Sequence, residues 1–416
     1  MTSPAPASGA PPAGLPAHFS RLVGSNLAAQ SAEQLSLAAV PMVAVLALGA
    51  GAGEIGLIGM VQTLPFLLLS IPFGLLADRT SRRRLMVAAE SLRALSLLGL
   101  LVATLLGALS VPVLALLGFV GAVGTVGFSV AAPALVPALV PREALARANG
   151  RLELARSAAF AAGPALAGAL VSWAGGSTAF VLATILSAMA VVLLAGLPEP
   201  ARSPLPPRHP LAELRDGARL AWRHPLLKPI LTTSIFWNIA WFVLQAAYVP
   251  YAVRVLGLSA SAVGLTLAMY GAGMVVGALL AQRVMGAMSY GAVVILGPMV
   301  SVAAICTMAA TLWWPVAGLA ALSYFLFGVG PIIWTISSTT LRQTLTPGPM
   351  LGRVSAIFLT VNAGARPVGA ALGGLIGVRW GEEACLLVAV AGFALQAVVI
   401  AVSPIRHLQT LPPAAD

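Results

Sequence analysis

Long apolar runs, separated by short stretches rich in glycine, proline or charge, follow one another along almost the whole chain. Alternation with a period of two is absent from nearly all of it, so the runs do not read as strands of a barrel. A helix needs about 20 mostly apolar residues to cross a bilayer, and the runs are long enough. The pattern therefore predicts an all-α integral membrane protein with twelve transmembrane helices. The predicted helices cover residues 18–49, 54–77, 83–107, 110–138, 148–173, 176–197, 226–253, 260–285, 289–312, 314–344, 351–379 and 382–404.

Composition agrees with a membrane location and narrows the function. The chain is 59% hydrophobic and 8% charged, whereas about a quarter of the residues of a soluble domain are charged. Its two cysteines, Cys306 and Cys385, lie far apart inside apolar runs, which gives neither a disulfide framework nor zinc spacing. No loop carries a clustered His/Cys/Asp site or a phosphate-binding motif. We therefore expect neither an enzyme nor a resident metal or cofactor.

The net charge of +11 and its distribution predict how the chain is oriented in the membrane. The basic residues occupy short loops without interleaved aromatic residues, so nucleic acid is not expected as a partner. When alternate loops are assigned to one side, most arginines fall on the side of the two termini and of the middle connection. Only Arg254 and Arg379 fall on the other side, beside Glu54, Glu382 and Glu383. By the positive-inside rule both termini are predicted to be cytoplasmic.

The predicted helices form two sets of six around a central connection. The division is a disordered tail (1–17), a first half (18–197), a cytoplasmic linker (198–225), a second half (226–405) and a C-terminal tail (406–416). The linker begins as a proline-rich spacer and continues as a short basic segment, which predicts an amphipathic helix at the membrane surface. Its apolar face is expected to hold Leu214, Ala218, Ala221 and Trp222, with Arg215, Arg219 and Arg223 on another face.

Sequence echoes indicate that the halves are repeats. GLLADR at 74–79 returns as ALLAQR at 278–283, and VPREALARAN at 140–149 is echoed by TPGPMLGRVS at 346–355. Nearly equal spacing between the echoes argues for duplication. Parallel six-helix repeats of this kind are a transporter architecture with a site between the halves at mid-membrane.

The segment GLLADRTSRRR at 74–84 resembles the signature loop of the major facilitator superfamily. Further segments resemble the branch that contains the enterobactin exporter and macrolide efflux proteins; they lie at 62–65, 90–93, 140–143, 148–149 and 216–225. The resemblance covers the chain from residue 18 to residue 404. It implies a monomeric bacterial inner-membrane transporter that exports a drug, siderophore or secondary metabolite by alternating access and proton antiport. A nutrient importer or uniporter of the same fold, or a non-transporting sensor, remains an alternative.

The resemblance also implies a conformational latch, in which the signature loop holds the cytoplasmic ends of the halves together and meets lipid phosphates. Its expected members are Gly74, Asp78, Arg79, Arg83, Arg84, Glu90, Arg93 and Arg353. The alternative is a purely topological anchor. An anchor does not need Asp78, and the echo of the loop has Gln282 in its place, so Asp78 is expected to matter far more than Gln282. Glu90–Arg93 and Glu153–Arg156 are otherwise explained as local ion pairs.

Residues Gly163, Pro164 and Gly168 resemble the glycine–proline motif of antiporters in this superfamily, which implies export. The alternative is a tight, proline-bent contact between helices.

Glu33 lies well inside the first apolar run, with Asn26 and Gln30 on the same helix face. An ionisable group in the membrane is costly and is by default a functional hypothesis. Similar exporters carry an acid in the first helix that faces a central cavity. We therefore expect Glu33 to couple transport to protons, unless it reaches the cytoplasmic headgroups instead.

A polar and aromatic stripe, formed by Asn238, Trp241, Gln245 and Tyr248, is expected to line the substrate cavity. Packing between helices, with an outer aromatic belt at Tyr248, is the alternative. Arg366 has no acid within one turn, so it needs a partner from another helix or a negative group of the substrate. The expected cavity residues are Asn26, Gln30, Gln62, Asn238, Trp241, Gln245, Asn362 and Arg366.

Overall fold

A computed structural model describes residues 16–140, 144–198, 210–347 and 350–413, and these residues form helices and short turns. The side chains of Asp78 and Arg147 also lie outside the described part, as do the tail before residue 16 and the spacer at 199–209. The helices are α1 (Ala17–Leu48), α2 (Ala52–Arg79), α3 (Arg82–Leu105), α4 (Val111–Leu139), α5 (Leu145–Ala174), α6 (Gly176–Ala195), α7 (Pro210–Arg223), α8 (Leu227–Arg254), α9 (Ala260–Ala287), α10 (Tyr290–Ala310), α11 (Ala317–Leu345) and α12 (Leu351–Ala401). Each predicted helix is present with its ends shifted by a few residues.

Eleven of the described helices are long and apolar enough to cross a membrane, and the last of these is long enough to cross twice. Helix α12 is interrupted at Gly381, where φ is 83° and ψ is 174°. Its 51 residues would span about 75 Å if straight, far more than the about 30 Å of a hydrocarbon core. Twelve crossings result, as predicted, but the last two are joined at a single glycine rather than by a loop.

The backbone at Gly381 repeats that at Gly175, which separates α5 from α6 with φ 82° and ψ 173°. Positive φ with extended ψ is open only to glycine. The two glycines stand 206 residues apart, which is the spacing of one of the sequence echoes. The repeat therefore extends to the turn between the last two helices of each half.

Helix packing confirms two pseudo-symmetric halves. In the first half (α1–α6), α1 packs on α5 and α6, α3 on α4 and α6, and α2 on α4. In the second half (α8–α12), α8 packs on α12, α10 on α11 and α12, and α9 on α11. The halves meet where α2 packs against α12 and α5 packs against α9.

Helix α7 and the C-terminal residues 404–413 lie at one end of the bundle, the terminal face; the turns at residues 49–51, 175 and 381 lie at the other, the opposite face. The halves approach most closely toward the opposite face. A Cβ atom on Gly56 of α2 would lie 2.5 Å from Cα of Gly374, and one on Gly264 of α9 would lie 2.8 Å from Cα of Gly168. Small residues at helix crossings allow this close backbone packing in membranes.

A charged side chain also joins the halves at the opposite face. Arg254 at the end of α8 donates through Nη2 to the carbonyl oxygens of Gly49 (2.6 Å) and Ala50 (2.9 Å) in the first half. Its Nη1 lies 3.2 Å from Oε1 of Glu382 in the second half. Sequence analysis placed Arg254 and Glu382 on one side of the membrane but did not predict this link.

The predicted amphipathic linker helix is α7, and it packs on the start of α12. A Cβ on Gly217 would lie 2.8 Å from the backbone carbon of Arg353, and Ala221 is fully buried. Trp222, in contrast, is 53% exposed, with Nζ of Lys228 5.4 Å from its ring. The prediction that Ala221 and Trp222 share one face is therefore wrong, because the small residues Gly217 and Ala221 make the contact with α12.

Candidate functional site

A buried charge network occupies the centre of the first half. Arg93 of α3 donates from Nε to Glu90 Oε1 at 3.2 Å and pairs through Nη2 with the other oxygen of the same carboxylate. Its Nη1 lies 3.4 Å from Oε2 of Glu33 on α1. Ser187 of α6 donates to Glu90, and the Arg93 guanidinium lies 5.8 Å from the Phe128 ring. The Arg93 guanidinium thus joins α3 to α1 and α4, and Glu90 joins the same network to α6.

The network holds two carboxylates for one cation. The Glu90 side chain is fully buried and has two partners, Arg93 and Ser187, whereas the Glu33 side chain is 20% exposed and reaches the network only through the longer contact. Within this network Glu33 is therefore the excess acid, and it borders open space. Arg366 and Arg156 act on it electrostatically from beyond contact distance. An ionised excess acid is costly in a membrane, so this carboxylate is suited to gain and lose a proton.

The structure thus brings Glu90 and Arg93 to Glu33, although sequence analysis grouped them with the signature loop. They lie two to three turns into α3. The alternative that Glu33 reaches the headgroups is not supported, because its carboxylate points to Arg93 inside the first half.

Glu33 borders a cavity of about 420 Å³ between the two halves, here called the interhalf cavity. Of the residues predicted to line the substrate cavity, Gln62, Trp241, Gln245 and Arg366 do so. Polar and aromatic groups around an otherwise apolar space of this size are typical of small-molecule sites.

The aromatic wall of this cavity comes mainly from the second half. Trp241 stacks on Trp237 with ring centroids 5.3 Å apart, and Tyr270 lies 5.3 Å away on another side. Tyr324 lies 5.9 Å from Trp241, and its hydroxyl donates to Gln245 Oε1 at 2.8 Å. Trp241 and Gln245 are thus held in fixed orientations by their neighbours.

Tyr248 does not belong to the cavity wall. It is fully buried, and its hydroxyl shares a hydrogen bond with Thr266 of α9. Tyr248 was expected either to line the substrate cavity or to lie in an outer aromatic belt. It does neither, because its side chain packs inside the second half.

A second cavity of about 330 Å³, here called the second-half cavity, lies among α8–α12. Asn238 and Asn362, both predicted cavity residues, line it. Ser234 joins them: its hydroxyl donates to Asn362 Oδ1 at 2.8 Å, and its carbonyl accepts from Asn238 Nδ2 at 2.8 Å. Tyr270 and Arg366 border both cavities, so they form the partition between them.

Arg366 forms no ion pair at contact distance among the residues that the structure describes. Its Nε is buried without a hydrogen bond, and its guanidinium carbon lies 5.4 Å from the Phe66 ring of α2. Its partners on other helices are therefore this ring and, over a longer distance, the carboxylate of Glu33. Its position at both cavities leaves Arg366 available to a negative group of a bound molecule.

Asn26 and Gln30 line neither of these two cavities. Asn26 donates through Nδ2 to the carbonyl of Leu152 at 3.3 Å and so joins α1 to α5. Asn26 and Gln30 lie on the same face of α1 as Glu33, but they do not border the interhalf cavity as Glu33 does.

The residues of the signature loop have separate surroundings. Gly74 has open space around it, Arg79 is exposed, and the backbone N–H of Arg84 donates to the Ser81 hydroxyl at 3.1 Å. Arg83 donates to the Leu197 carbonyl at 2.9 Å, which holds it to the end of α6.

Arg353, the expected partner of the loop in the second half, lies 3.5 Å from Asp216 of α7. The side chain of Asp78 lies outside the described residues, so a latch between the halves stays a prediction.

The glycine–proline motif lies at the interface between the halves. Gly163 packs against Gln34 of α1, Pro164 borders the interhalf cavity, and Gly168 meets Gly264 of α9 backbone to backbone. A tight contact between helices therefore describes this segment, and its position between the halves is compatible with a role in their movement.

Sequence analysis missed Ser187 and Tyr270. Both are single polar groups inside apolar runs, and no local spacing connects either one to its partners. Arg156 was noted only as the partner of Glu153, which it contacts at 3.0 Å, although it also borders the second-half cavity.

Comparison with known proteins identifies the architecture. The sequence profile of the Major Facilitator Superfamily matches residues 22–370. The enterobactin exporter EntS of Citrobacter koseri is 29% identical over 353 residues, which cover 82% of each chain. A crystal structure of the nucleoside transporter NupG has a TM-score of 0.76 at 12% identity, covering 92% of this chain and 98% of that one. The D-xylose–proton symporter has a TM-score of 0.74 at 16% identity, covering 94% and 99%.

Proposed function

Because this chain belongs to the Major Facilitator Superfamily and is a multi-pass membrane transporter, we propose that it exports an amphipathic small molecule by alternating access, coupled to proton antiport. The observation that carries the proposal is the excess carboxylate of Glu33 at the wall of the interhalf cavity. A proton site that borders the substrate space is what an exchanger needs.

Competition at the Glu33 carboxylate supplies the coupling. When Glu33 is ionised, its oxygens accept hydrogen bonds from donor groups of the substrate. When a proton binds, one oxygen becomes a donor and the excess negative charge of the network is removed, so the substrate is held less well. Mutual exclusion of substrate and proton gives antiport.

The closed opposite face supplies the alternation. Contacts of Gly56 with Gly374 and of Arg254 with Gly49 hold the halves together there. With the termini in the cytoplasm, as the positive-inside rule predicts, the opposite face is the outer one and this is an inward-facing arrangement. The signature loop would act as the latch of the alternative, outward-facing arrangement, and the bacterial inner membrane is the expected location.

The direction of transport is inferred from the relatives. The curated relative at 29% identity is named an enterobactin exporter, whereas the nucleoside transporter and the sugar symporter share only the fold. A siderophore, drug or secondary metabolite handled by a single chain is therefore the proposed cargo. The aromatic wall around Trp241 suits such molecules, because it offers stacking surfaces together with a few polar groups.

Everted vesicles from a strain that overproduces the protein test this function. The interior of these vesicles corresponds to the outer side of the cell membrane, and it is made acidic. The vesicles should then accumulate enterobactin or a fluorescent amphipathic dye, and collapse of the proton gradient should release it. Accumulation in right-side-out vesicles instead would show an importer. Failure of every probe to move in either orientation, with the protein present and folded, would favour a sensor.

A further inference from the structure

Four residues that line the second-half cavity each carry a buried N–H donor without a hydrogen bond. The donors are the indole Nε1 atoms of Trp237 and Trp334 and the guanidinium Nε atoms of Arg342 and Arg366. They come from three helices, α8, α11 and α12. Buried polar groups are nearly always paired, and each exception needs an explanation. These four atoms have almost no accessible surface, so an acceptor in the cavity would meet the two arginines through their Nη atoms.

The cavity is also positively charged. None of the ion pairs or side-chain hydrogen bonds among the described residues includes the guanidinium of Arg342 or of Arg366. Each instead lies against an aromatic ring: the carbon of Arg342 is 4.7 Å from the Phe358 ring and that of Arg366 is 5.4 Å from the Phe66 ring. No carboxylate is among the described residues that line the cavity. Arg366 lies well inside α12, where an unpaired cation in the membrane is costly and marks a site for an anion, whereas Arg342 lies in the last turn of α11.

Two amides of the lining are bonded to groups other than the arginines. Asn362 Oδ1 accepts from Ser234, and Gln396 donates to the Pro298 carbonyl at 3.2 Å.

We propose that the second-half cavity binds an organic anion, whose oxygen atoms accept from the guanidinium groups of Arg342 and Arg366. The inference rests on the proposed function, because it names the chemical class of the cargo. The volume of about 330 Å³ lies within the range of small-molecule sites.

The two arginines stand at different depths of the cavity. Phe358, which Arg342 covers, and Arg366 are separated by eight residues of α12, or about 12 Å along the helix axis. A cargo that uses both must carry acceptor oxygens along its length. Arg366 also borders the interhalf cavity, so the anionic part is held beyond it, away from the Glu33 carboxylate that would repel it.

Binding by the purified full-length protein tests this site without transport. In nanodiscs of zwitterionic lipid, naphthalene-2,6-dicarboxylate and its neutral diamide are compared by calorimetry and by quenching of tryptophan fluorescence. We expect the dicarboxylate to bind at least about 10-fold more tightly, since hydrogen bonds to charged groups are the stronger ones. Equal affinity of the two probes would overturn the proposal.

Variants locate the site. Arg342→Gln should weaken the dicarboxylate about 10-fold or more while the diamide keeps its affinity, and Arg342→Lys should restore part of the loss. Arg283→Gln, an exposed arginine of α9 outside both cavities, is the matched control. Unchanged dicarboxylate binding in Arg342→Gln would overturn the proposal. Arg342→Gln could also lose both probes. In that case, binding of both probes by Arg342→Lys would support the proposal, whereas binding of the diamide alone by Arg342→Lys would oppose it.

Two further arms separate the sources of failure. Displacement of the dicarboxylate by phosphatidylglycerol in the disc would assign the donors to lipid headgroups and overturn the proposal. Arginine-dependent binding of the dicarboxylate, in a protein that exports nothing under a proton gradient, would leave this site standing and remove only the proposed function. Gradient-driven export of neutral cargo by a protein that does not bind the dicarboxylate would leave the proposed function standing and remove the anion site.

Discussion

The carboxylate of Glu33 lies 3.4 Å from Arg93, an arginine whose charge the fully buried Glu90 already balances. Glu33 is thereby tethered, and the rest of its charge is balanced only over longer distances, by Arg366 and Arg156. The first prediction follows from this arrangement.

Glu33→Gln should uncouple transport from protons. The amide keeps the size and polarity of the side chain but binds no proton, so export driven by a pH gradient should fall at least about 10-fold, within the usual range of coupling free energies. Exchange of labelled for unlabelled substrate across proteoliposomes should continue. Glu54→Gln, at the exposed start of α2, is the control. Gradient-driven export at the wild-type rate in Glu33→Gln would remove the coupling role.

Glu90→Gln should destabilise the first half far more than Glu153→Gln. Both acids pair with an arginine three residues later, but the Glu90 side chain is fully buried and that of Glu153 is 56% exposed. Breaking a buried pair costs up to about 3–5 kcal/mol, and less here because Glu33 stays 3.4 Å from Arg93, whereas an exposed pair contributes about 0.2–1 kcal/mol. Thermal unfolding in detergent should show a large fall in Tm for Glu90→Gln alone. Similar falls for both variants would show that burial does not set the strength of the Arg93 pair.

Arg254→Gln should open the opposite face more often. The shorter side chain cannot bridge the Gly49 and Ala50 carbonyls and Glu382, and a partly exposed link of this kind contributes up to about 1 kcal/mol. A cysteine at Val249, which borders the interhalf cavity, should react up to about 5-fold faster with an impermeant maleimide added at that face.

Arg379→Gln is the matched control for Arg254→Gln. Arg379 is exposed at the same face and contacts only the Trp380 ring, at 6.0 Å, among the described contacts. Equal labelling rates in the two variants would show that the Arg254 link does not hold the halves together.

Gly56→Ala should impair closure, whereas Gly59→Ala on the same helix should be tolerated. A Cβ on Gly56 would lie 2.5 Å from the Gly374 backbone, but one on Gly59 would lie 3.5 Å from the Ala370 side chain, an ordinary contact. Spin labels at Ser110 and Trp314, on the opposite face of the two halves, should report longer distances in Gly56→Ala only. Unchanged distances would mean that α2 and α12 can separate locally without moving the halves.

Much of the fold followed from the sequence because the lengths of the apolar runs and the loop charges are local properties. The positions of Arg254 and Glu382 on one face came from this reasoning. The link from Arg254 to Gly49 did not, because its acceptor is a backbone carbonyl that no residue type reveals.

The candidate site was predictable only in part. Spacing indicated the Glu90–Arg93 pair, but the contact of Arg93 with Glu33 depends on how α1 and α3 cross. Asn26 and Gln30 show the converse, since they share a face with Glu33 yet border neither cavity. Helix periodicity assigns a direction around the axis, whereas a cavity also depends on depth along it.

The charge network of Glu33, Glu90, Arg93 and Ser187 belongs to the first half, whereas the rings around Trp241 belong almost entirely to the second. Under the proposed function, energy conversion and cargo recognition are therefore encoded in separate stretches of the gene. Substitutions in the second stretch can broaden or shift the range of exported compounds while leaving the proton machinery intact. A hybrid that joins this first half to the second half of a relative should inherit its selectivity from the relative and its driving force from this chain.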